Sequence, residues 1–342
     1  MKNEPKIAII ILNWNGFDDT VECLESLKTL EYDNYKVVLV DNGSDNDEGK
    51  ALKKMFPDVY LIQNRINRGF AGGNNDGMNW ALENGFDYVV NLNNDCIVEK
   101  KWLADLVDGL RSANAGFGSS RIMFYPDTDL ICSDGDVIFP DGAAIAWNRH
   151  RTYSGEGGMK PIFSACGAGS IYSSKCLEDV KIKGDQFFDE LYFAFYEDVD
   201  LGIRLNQRYY RGVSVPGAVI YHKHSATAGK YSKFKVFHSE KNRMLNEILN
   251  YPVYLIFLGE LFFILKVLLL LIYPVFNGKS KGYKYLRNLG PVNMALSFIR
   301  ARFWIIANLP LIFKDRRERK SRGFINKKIY SFFCWDLSRL IS

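Results

Sequence analysis

Cysteine is sparse and histidine sparser in this chain of 342 residues, which has six cysteines and four histidines. Cys23, Cys96, Cys132, Cys166, Cys176 and Cys334 are scattered with no Cys-x-x-Cys pair. That excludes a zinc ribbon and a disulfide framework and fits a reducing cytoplasm. The opening Met1-Lys2-Asn3-Glu4-Pro5-Lys6 is too short and too acidic for the basic end of a secretory leader, and the apolar run behind it breaks at Asn13. No export signal is read there. Uninterrupted apolar runs are missing as well: residues 251–276 contain Glu260 and Lys266, and residues 293–313 contain Arg300 and Arg302. A spanning helix needs about 20 mostly apolar residues, and each charge at mid-bilayer costs roughly 2.5–3.5 kcal/mol, which argues against simple spans.

What is present is ample apolar material. At 47% apolar and 14% aromatic residues the chain can bury a large domain plus an appendage, or two domains. The net charge of +5 conceals an asymmetry: from Lys241 onward 18 Lys or Arg face 5 Asp or Glu, a balance of +13, which leaves −8 for residues 1–240. The expected division is therefore 1–240 and 241–342. Basic charge beside aliphatic runs favours an anionic membrane surface over nucleic acid. Two readings of the rear segment stand. Its helices lie in the membrane interface with their charges snorkelling and the cluster Lys314, Arg316, Arg317, Arg319, Lys320 and Arg322 on acidic headgroups, or they form a helical core or a homo-oligomer contact.

The front segment alternates buried-strand and helix patterns. Ile7-Ala8-Ile9-Ile10-Ile11-Leu12 is a continuous apolar run, as in a strand buried on both faces of a parallel sheet, and Asn13-Trp14-Asn15-Gly16 ends it. A helix with Val21, Leu24, Leu27 and Leu30 on one face follows, capped by Asp18 or Asp19. Tyr35-Lys36-Val37-Val38-Leu39-Val40 is a second strand, stopping at Asp41-Asn42-Gly43-Ser44. Polar residues at both strand ends of a β-α-β unit fall in the crevice where open α/β folds bind ligands. A third strand, Val59-Tyr60-Leu61-Ile62, leads to Asn67-Arg68-Gly69-Phe70-Ala71-Gly72-Gly73-Asn74-Asn75, with a helix expected from Met78. The glycine spacing is neither a P-loop nor Gly-x-Gly-x-x-Gly, so alone it indicates a ligand or a tight turn.

Val89-Val90-Asn91-Leu92 then ends in Asn93-Asn94-Asp95. Oxygen ligands one residue apart at a strand end can hold a hard divalent cation, and equally such a triplet can be a capped polar turn. Residues 116–151 read as a β-rich insertion. Glu197-Asp198-Val199-Asp200 opens a periodic helix, so its acids are either caps or carboxylates held ionised by the helix dipole. A last strand ends in His222-Lys223-His224, and two histidines downstream of two acid clusters fit a metal site.

With these stretches in order, the chain resembles the inverting GT-A glycosyltransferases of family 2, especially their bacterial rhamnosyltransferase-like and galactofuranosyltransferase-like branch. The likeness rests on Ile11-Leu12-Asn13-Trp14-Asn15-Gly16, Val40-Asp41-Asn42-Gly43-Ser44, Asn67 to Asn75, Leu92-Asn93-Asn94-Asp95, Gly167-Ala168-Gly169-Ser170, Glu197-Asp198-Val199-Asp200-Leu201 and His222. It implies an α/β GT-A fold, Rossmann-like, with a mostly parallel mixed sheet flanked by helices and a helical, basic, apolar C-terminal extension. It implies further that Asp41 bonds the base of a UDP- or dTDP-sugar, that Asn13, Trp14 and Asn15 line base and ribose, and that Asn67, Gly72, Gly73, Asn75, Asn93 and Asn94 lie along the nucleotide-sugar. Asp95 and His222 would bind Mg²⁺ or Mn²⁺, with His224 a second candidate. Asn93 stands where the family's metal motif has Asp, which lowers the charge of the site. Asp198 would be the catalytic base with Glu197 beside it, while Gly167, Ala168, Asp200 and Arg204 would face the acceptor.

The implied reaction moves rhamnose or a similar sugar to a lipid-linked or surface glycan, at the inner face of the cell membrane. Two other readings are a sugar-nucleotide-binding subunit that has lost catalysis, and a nucleotidyltransferase. The latter usually carries a basic glycine-rich loop after the first strand, which Asn13-Trp14-Asn15-Gly16 does not provide.

Overall fold

The computed structural model describes residues 4–155, 157–224, 232–277 and 287–336, and within 270–277 it describes the helix without its side chains. The end of the 251–276 run and the first three residues thus lie outside the described side chains. The chain separates into two compact units, Met1–Asp136 with Ile145–Ser225 and Val137–Ala144 with Ala226–Ser342. The boundary falls at 225/226 where charge placed it at 240/241.

In chain order the strands are β1 (Ile7–Asn13), β2 (Tyr35–Asn42), β3 (Tyr60–Asn64), β4 (Tyr88–Asn93), β5 (Cys96–Val98), β6 (Phe117–Phe124), β7 (Ile131–Ser133), β8 (Asp136–Ile138), β9 (Ala144–Ala146), β10 (Lys160–Ile162), β11 (Gly169–Ser173) and β12 (Gly212–His222). The helices of the first unit are α1 (Phe17–Leu27), α2 (Glu48–Met55), α3 (Gly69–Glu83), α4 (Trp102–Ser112), α5 (Ser174–Val180) and α6 (Glu197–Gln207). The main sheet runs β10-β12-β6-β11-β4-β1-β2-β3, with β5 on β12 and β7 on β6. β1, β2, β3 and β4 are parallel, and β11 is antiparallel to β4.

Burial explains the strand patterns. Ile7, Ala8, Ile9, Ile10 and Ile11 are wholly inaccessible, because helices cover both faces of the sheet. α1 buries Thr20, Cys23, Leu24 and Leu27, with Val21 and Leu30 packed at the margin of the core. Parallel pairing aligns the strand ends: Asn13 lies opposite Asp41, and Leu12 opposite Asn93. β12 brings in His222 from the far side of the sheet, in register with Phe124 of β6 and Cys96 of β5. Residues distant in sequence thus meet along one edge.

The second unit holds α7 (Lys233–Asn250), α8 (Val253–Asn277), α9 (Pro291–Ala307) and α10 (Leu309–Ser321). Several of its charges turn inward. Arg243 pairs with Glu240 at 3.0 Å, Glu247 at 2.8 Å and Glu260 at 3.2 Å, and Lys266 pairs with the buried Asp141. Lys266 is paired internally rather than snorkelling, because a buried charge needs a partner, while Glu260 reaches Arg243 from a half-exposed position. Likewise Arg316 donates to the carbonyls of Ile248 and Tyr251, and Arg319 to Asn250 Oδ1 at 2.7 Å, so neither faces outward. Lys314, Arg317 and Lys320 remain exposed. Among the described residues no single helix is long and apolar enough to cross a membrane, while α9 and α10, bent by 68°, reach that length and composition together.

Candidate active site

The end of β1 is tied down by its own amides. Asn13 Nδ2 donates to Ser44 Oγ at 3.1 Å and to Glu48 Oε2 at 3.0 Å, and its Oδ1 accepts from Thr20 at 2.9 Å. Asn15 holds the same turn through Ser44 and Asp45. These bonds tie Asn13, which is wholly buried, into the scaffold at the position where it was expected to line base and ribose. Trp14 between them is 40% exposed and presents its ring. Asp41 is buried and accepts from the amides of Ser44 and Gly49, both at 3.2 Å.

The glycine-rich stretch is helical from Gly69, nine residues before the expected start at Met78, so Gly72, Gly73 and Asn75 sit inside α3. Gly69 has φ +72°, and a Cβ there would lie 2.4 Å from the Phe193 carbonyl; at Gly73 one would lie 2.3 Å from Leu12. Glycine lets the helix start against these neighbours. Asn42, which the sequence reading passed over, organises the entrance: its Nδ2 donates to Asn67 Oδ1 and the Gly69 carbonyl, both at 3.0 Å, and its Oδ1 accepts from the Arg68 amide at 3.1 Å. Asn75 is buried and bonds the amides of Phe187 and Phe188 and the carbonyl of Phe188. Asn75, expected along the nucleotide-sugar, therefore positions the 187–188 segment. The density of Asn in 42–75 was the available signal for this amide lattice.

The end of β4 meets the end of β12. Asp95 Oδ1 lies 3.0 Å from His222 Nε2, with both side chains about a tenth exposed. Asn93 Nδ2 lies 3.5 Å from the same nitrogen. Asn94 turns away, donating to Thr20 Oγ1 at 2.9 Å. An anionic oxygen and an imidazole nitrogen converging this closely is a donor set that fits a divalent cation. His224 stacks beside His222 with ring centroids 4.0 Å apart, and its Nε2 lies 3.1 Å from Cys132 Sγ. Burial alone would lower His222, but hydrogen bonds with Asp95 and Cys132 hold it up at about 9. Burial raises the Cys132 thiol, and His222, His224 and the Arg149 guanidinium more than reverse this, bringing it to about 6.

The acids of α6 divide in use. Asp198 Oδ2 accepts from the Gly167 amide at 2.9 Å and Oδ1 from the Val199 amide at 2.8 Å. Burial raises its pKa, and those amides work against the rise. Asp136, another residue the sequence reading missed, is raised well above the ordinary carboxylate range by burial and then by the charge of Asp198, with Ser164 Oγ donating to it at 3.3 Å. Asp200 and Arg204, expected at the acceptor, are wholly buried and paired to each other at 3.0 Å, and Arg204 also donates to the carbonyls of Val180 and Phe187. With no exposed surface they support the wall of the site from behind. Glu197 is 4% exposed and also lies in the first turn. The approach to that turn is strained: Phe193, Phe195 and Tyr196 have φ of 64°, 68° and 69°. Bulky residues rarely adopt this conformation, and such strain concentrates at functional sites.

A mixed sheet with acids at the ends of β2 and β4 and at the start of α6 is the architecture of GT-A glycosyltransferases. The fold matches that of GalNAc-T7 solved with UDP, GalNAc and Mn²⁺, with a TM-score of 0.58 at 13% identity over 74% of this chain and 49% of that one. It also matches S. aureus TarS 1-349, with a TM-score of 0.52 at 16% identity over 93% of this chain and 89% of that one. The same TarS fragment in complex with UDP-GlcNAc gives a TM-score of 0.51 at 16% identity, over 72% of this chain and 67% of that one.

The chain belongs to glycosyl transferase family 2, whose profile matches residues 8–179. Similar proteins include the low-salt glycan biosynthesis hexosyltransferase Agl10 of Haloferax volcanii, 23% identical over 58% of this chain and 61% of that one. The O-antigen biosynthesis protein RfbC of Myxococcus xanthus is 26% identical over 66% of this chain and 18% of that one. The chain thus spans less than two thirds of the length of either relative.

Proposed function

We propose that this chain is an inverting glycosyltransferase that moves a sugar, rhamnose or similar, from a UDP- or dTDP-sugar to a hydroxyl of a lipid-linked or surface glycan. The observation that carries the reading is the Asp95–His222 pair, 3.0 Å apart at the end of β4, on the sheet edge that also carries Asp41. A divalent ion held by Asp95 and His222 would offset charge on the leaving diphosphate. Asp198 takes the acceptor proton as the hydroxyl oxygen attacks the anomeric carbon. The bond from that carbon to the diphosphate oxygen breaks, and the nucleoside diphosphate leaves with the electron pair. Attack opposite the leaving group inverts the anomeric centre. Trp14 offers a stacking face for the base.

The second unit supports attachment to the inner face of the cell membrane. Along α8, Val253, Phe257, Leu261, Ile264 and Leu268 are 51–70% exposed, at spacings of three and four residues, while Lys266 points inward to Asp141 and Glu260 is paired with Arg243. A helix whose charges are paired and whose exposed side is largely apolar fits the interface of an anionic bilayer, with Lys314, Arg317 and Lys320 on headgroups.

The experiment is a panel of UDP- and dTDP-sugars scored by nucleoside diphosphate release and product mass. Release that depends on a glycan acceptor supports the reading. Nucleotide binding with no release from any donor would leave a binding subunit in its place.

A further inference from the structure

Cys132 occupies a bulge. Ile131 of β7 pairs with Met123 of β6 and Ser133 pairs with Ile122, so Cys132 is the extra residue between them. A bulge re-aims the side chain it carries, and here it sends Sγ toward the end of β12. The arrangement there is made by three strand ends. His222 is the last residue of β12, the Lys223 amide donates to the Asp95 carbonyl at 3.0 Å, and His224, at φ +56°, turns its ring back beside His222. The ligand atoms of Cys132, His222 and His224 all lie within 4.8 Å of one another, and Asp95 Oδ1 is 3.0 Å from His222 Nε2.

We propose that Cys132, His222 and His224 form an imidazole–imidazole–thiolate donor set, sharing His222 with Asp95, that is selective for a thiophilic divalent transition ion over Mg²⁺. The inference rests on reading Asp95 and His222 as ligands. Mg²⁺ is a hard ion that takes oxygen ligands and keeps its water, so a site with one sulfur and two nitrogens disfavours it. Zn²⁺, Co²⁺ and their neighbours accept the sulfur and both nitrogens. Arg149 Nη1 also donates to Cys132 Sγ at 3.3 Å, which fixes the sulfur beside the two imidazoles. The linear spacing of the cysteines conceals such a site because its ligands come from β7 and from the end of β12 with the residues after it.

The test is a titration of the full chain, stripped by chelator, with Co²⁺ alone. One equivalent should give a thiolate-to-cobalt charge-transfer absorption in the near ultraviolet, bleached by Zn²⁺ and unaffected by excess Mg²⁺. Cys132→Ser should lose that absorption and weaken Co²⁺ binding by at least about tenfold, while Cys334→Ser, in the second unit, keeps both. Wild-type protein that binds Co²⁺ without the absorption, that binds none, or that yields it to Mg²⁺ would overturn the proposal, whatever the folding of the variants. The readout needs no turnover, so a chain that shows the absorption and uses no donor would retract the functional reading and keep the site.

Discussion

The Gly167 amide donates to Asp198 Oδ2 at 2.9 Å, and the carbonyl of the next residue, Ala168, accepts from the Asn93 amide at 3.1 Å. Two consecutive residues therefore fix the first turn of α6 against the end of β4. A Cβ at 167 would lie 3.1 Å from the Phe70 ring, a tight approach that would make the ring give way by a few tenths of an ångström. The carboxylate proposed as base and the strand end proposed to hold the cation share one rigid link.

The pH dependence follows from the burial of Asp198. A base works ionised, and its pKa is raised above the ordinary value, so activity should fall with pH earlier than for a solvated aspartate. The expected kcat/KM profile rises through an apparent pKa above about 4, the usual value for Asp. A profile flat down to about pH 4 would contradict the assignment.

Asp136 makes a stability prediction of known sign. Its folded pKa lies well above that of the unfolded chain, so the folded state binds the proton more tightly, and stability is lost as pH rises above the unfolded value. Asparagine mimics the protonated acid and removes this loss. Asp136→Asn should therefore match the wild-type Tm near pH 4 and exceed it increasingly toward about pH 8, as followed by thermal unfolding.

Asn75→Ala should destabilise the first unit by about 2–3 kcal/mol, because it leaves the Phe187 and Phe188 amides and the Phe188 carbonyl without their partner. The urea midpoint measures this. A variant with unchanged stability and a selective loss of donor binding would return Asn75 to the donor.

These predictions also mark what was legible in the sequence. β1, β2 and β4 could be read because runs such as Ile7 to Leu12 are apolar on both faces, and α6 because its acids precede a periodic run. Local patterning determines such elements. The burial of Asp200 and Arg204 could not be read, because a buried ion pair and an exposed one share a sequence pattern, and only the packing of α6 distinguishes them. The start of α3 was missed because glycine argues against helix until its neighbours, Phe193 and Leu12, are known. Cys132 and Asp136 acquire their surroundings from strands and helices far away in sequence, and no local signal announced either.

Membrane attachment has its own test. Phe257 is 70% exposed and Leu261 66%, on the same face of α8. Replacing both with Glu should lower binding to vesicles containing anionic lipid by at least about tenfold, given the transfer energy of two large apolar side chains. High salt should weaken the wild type only in part. Binding unchanged in the double variant would remove α8 from the interface.

The most direct measurement compares wild type with Asp198→Asn on one accepted nucleotide-sugar, following donor binding, nucleoside diphosphate release and the anomeric configuration of the product. The account predicts an inverted product from the wild type, and from the variant an unchanged donor Kd with turnover reduced by about 10²–10⁴. Full turnover by Asp198→Asn, or a product that retains the donor's configuration, would contradict it.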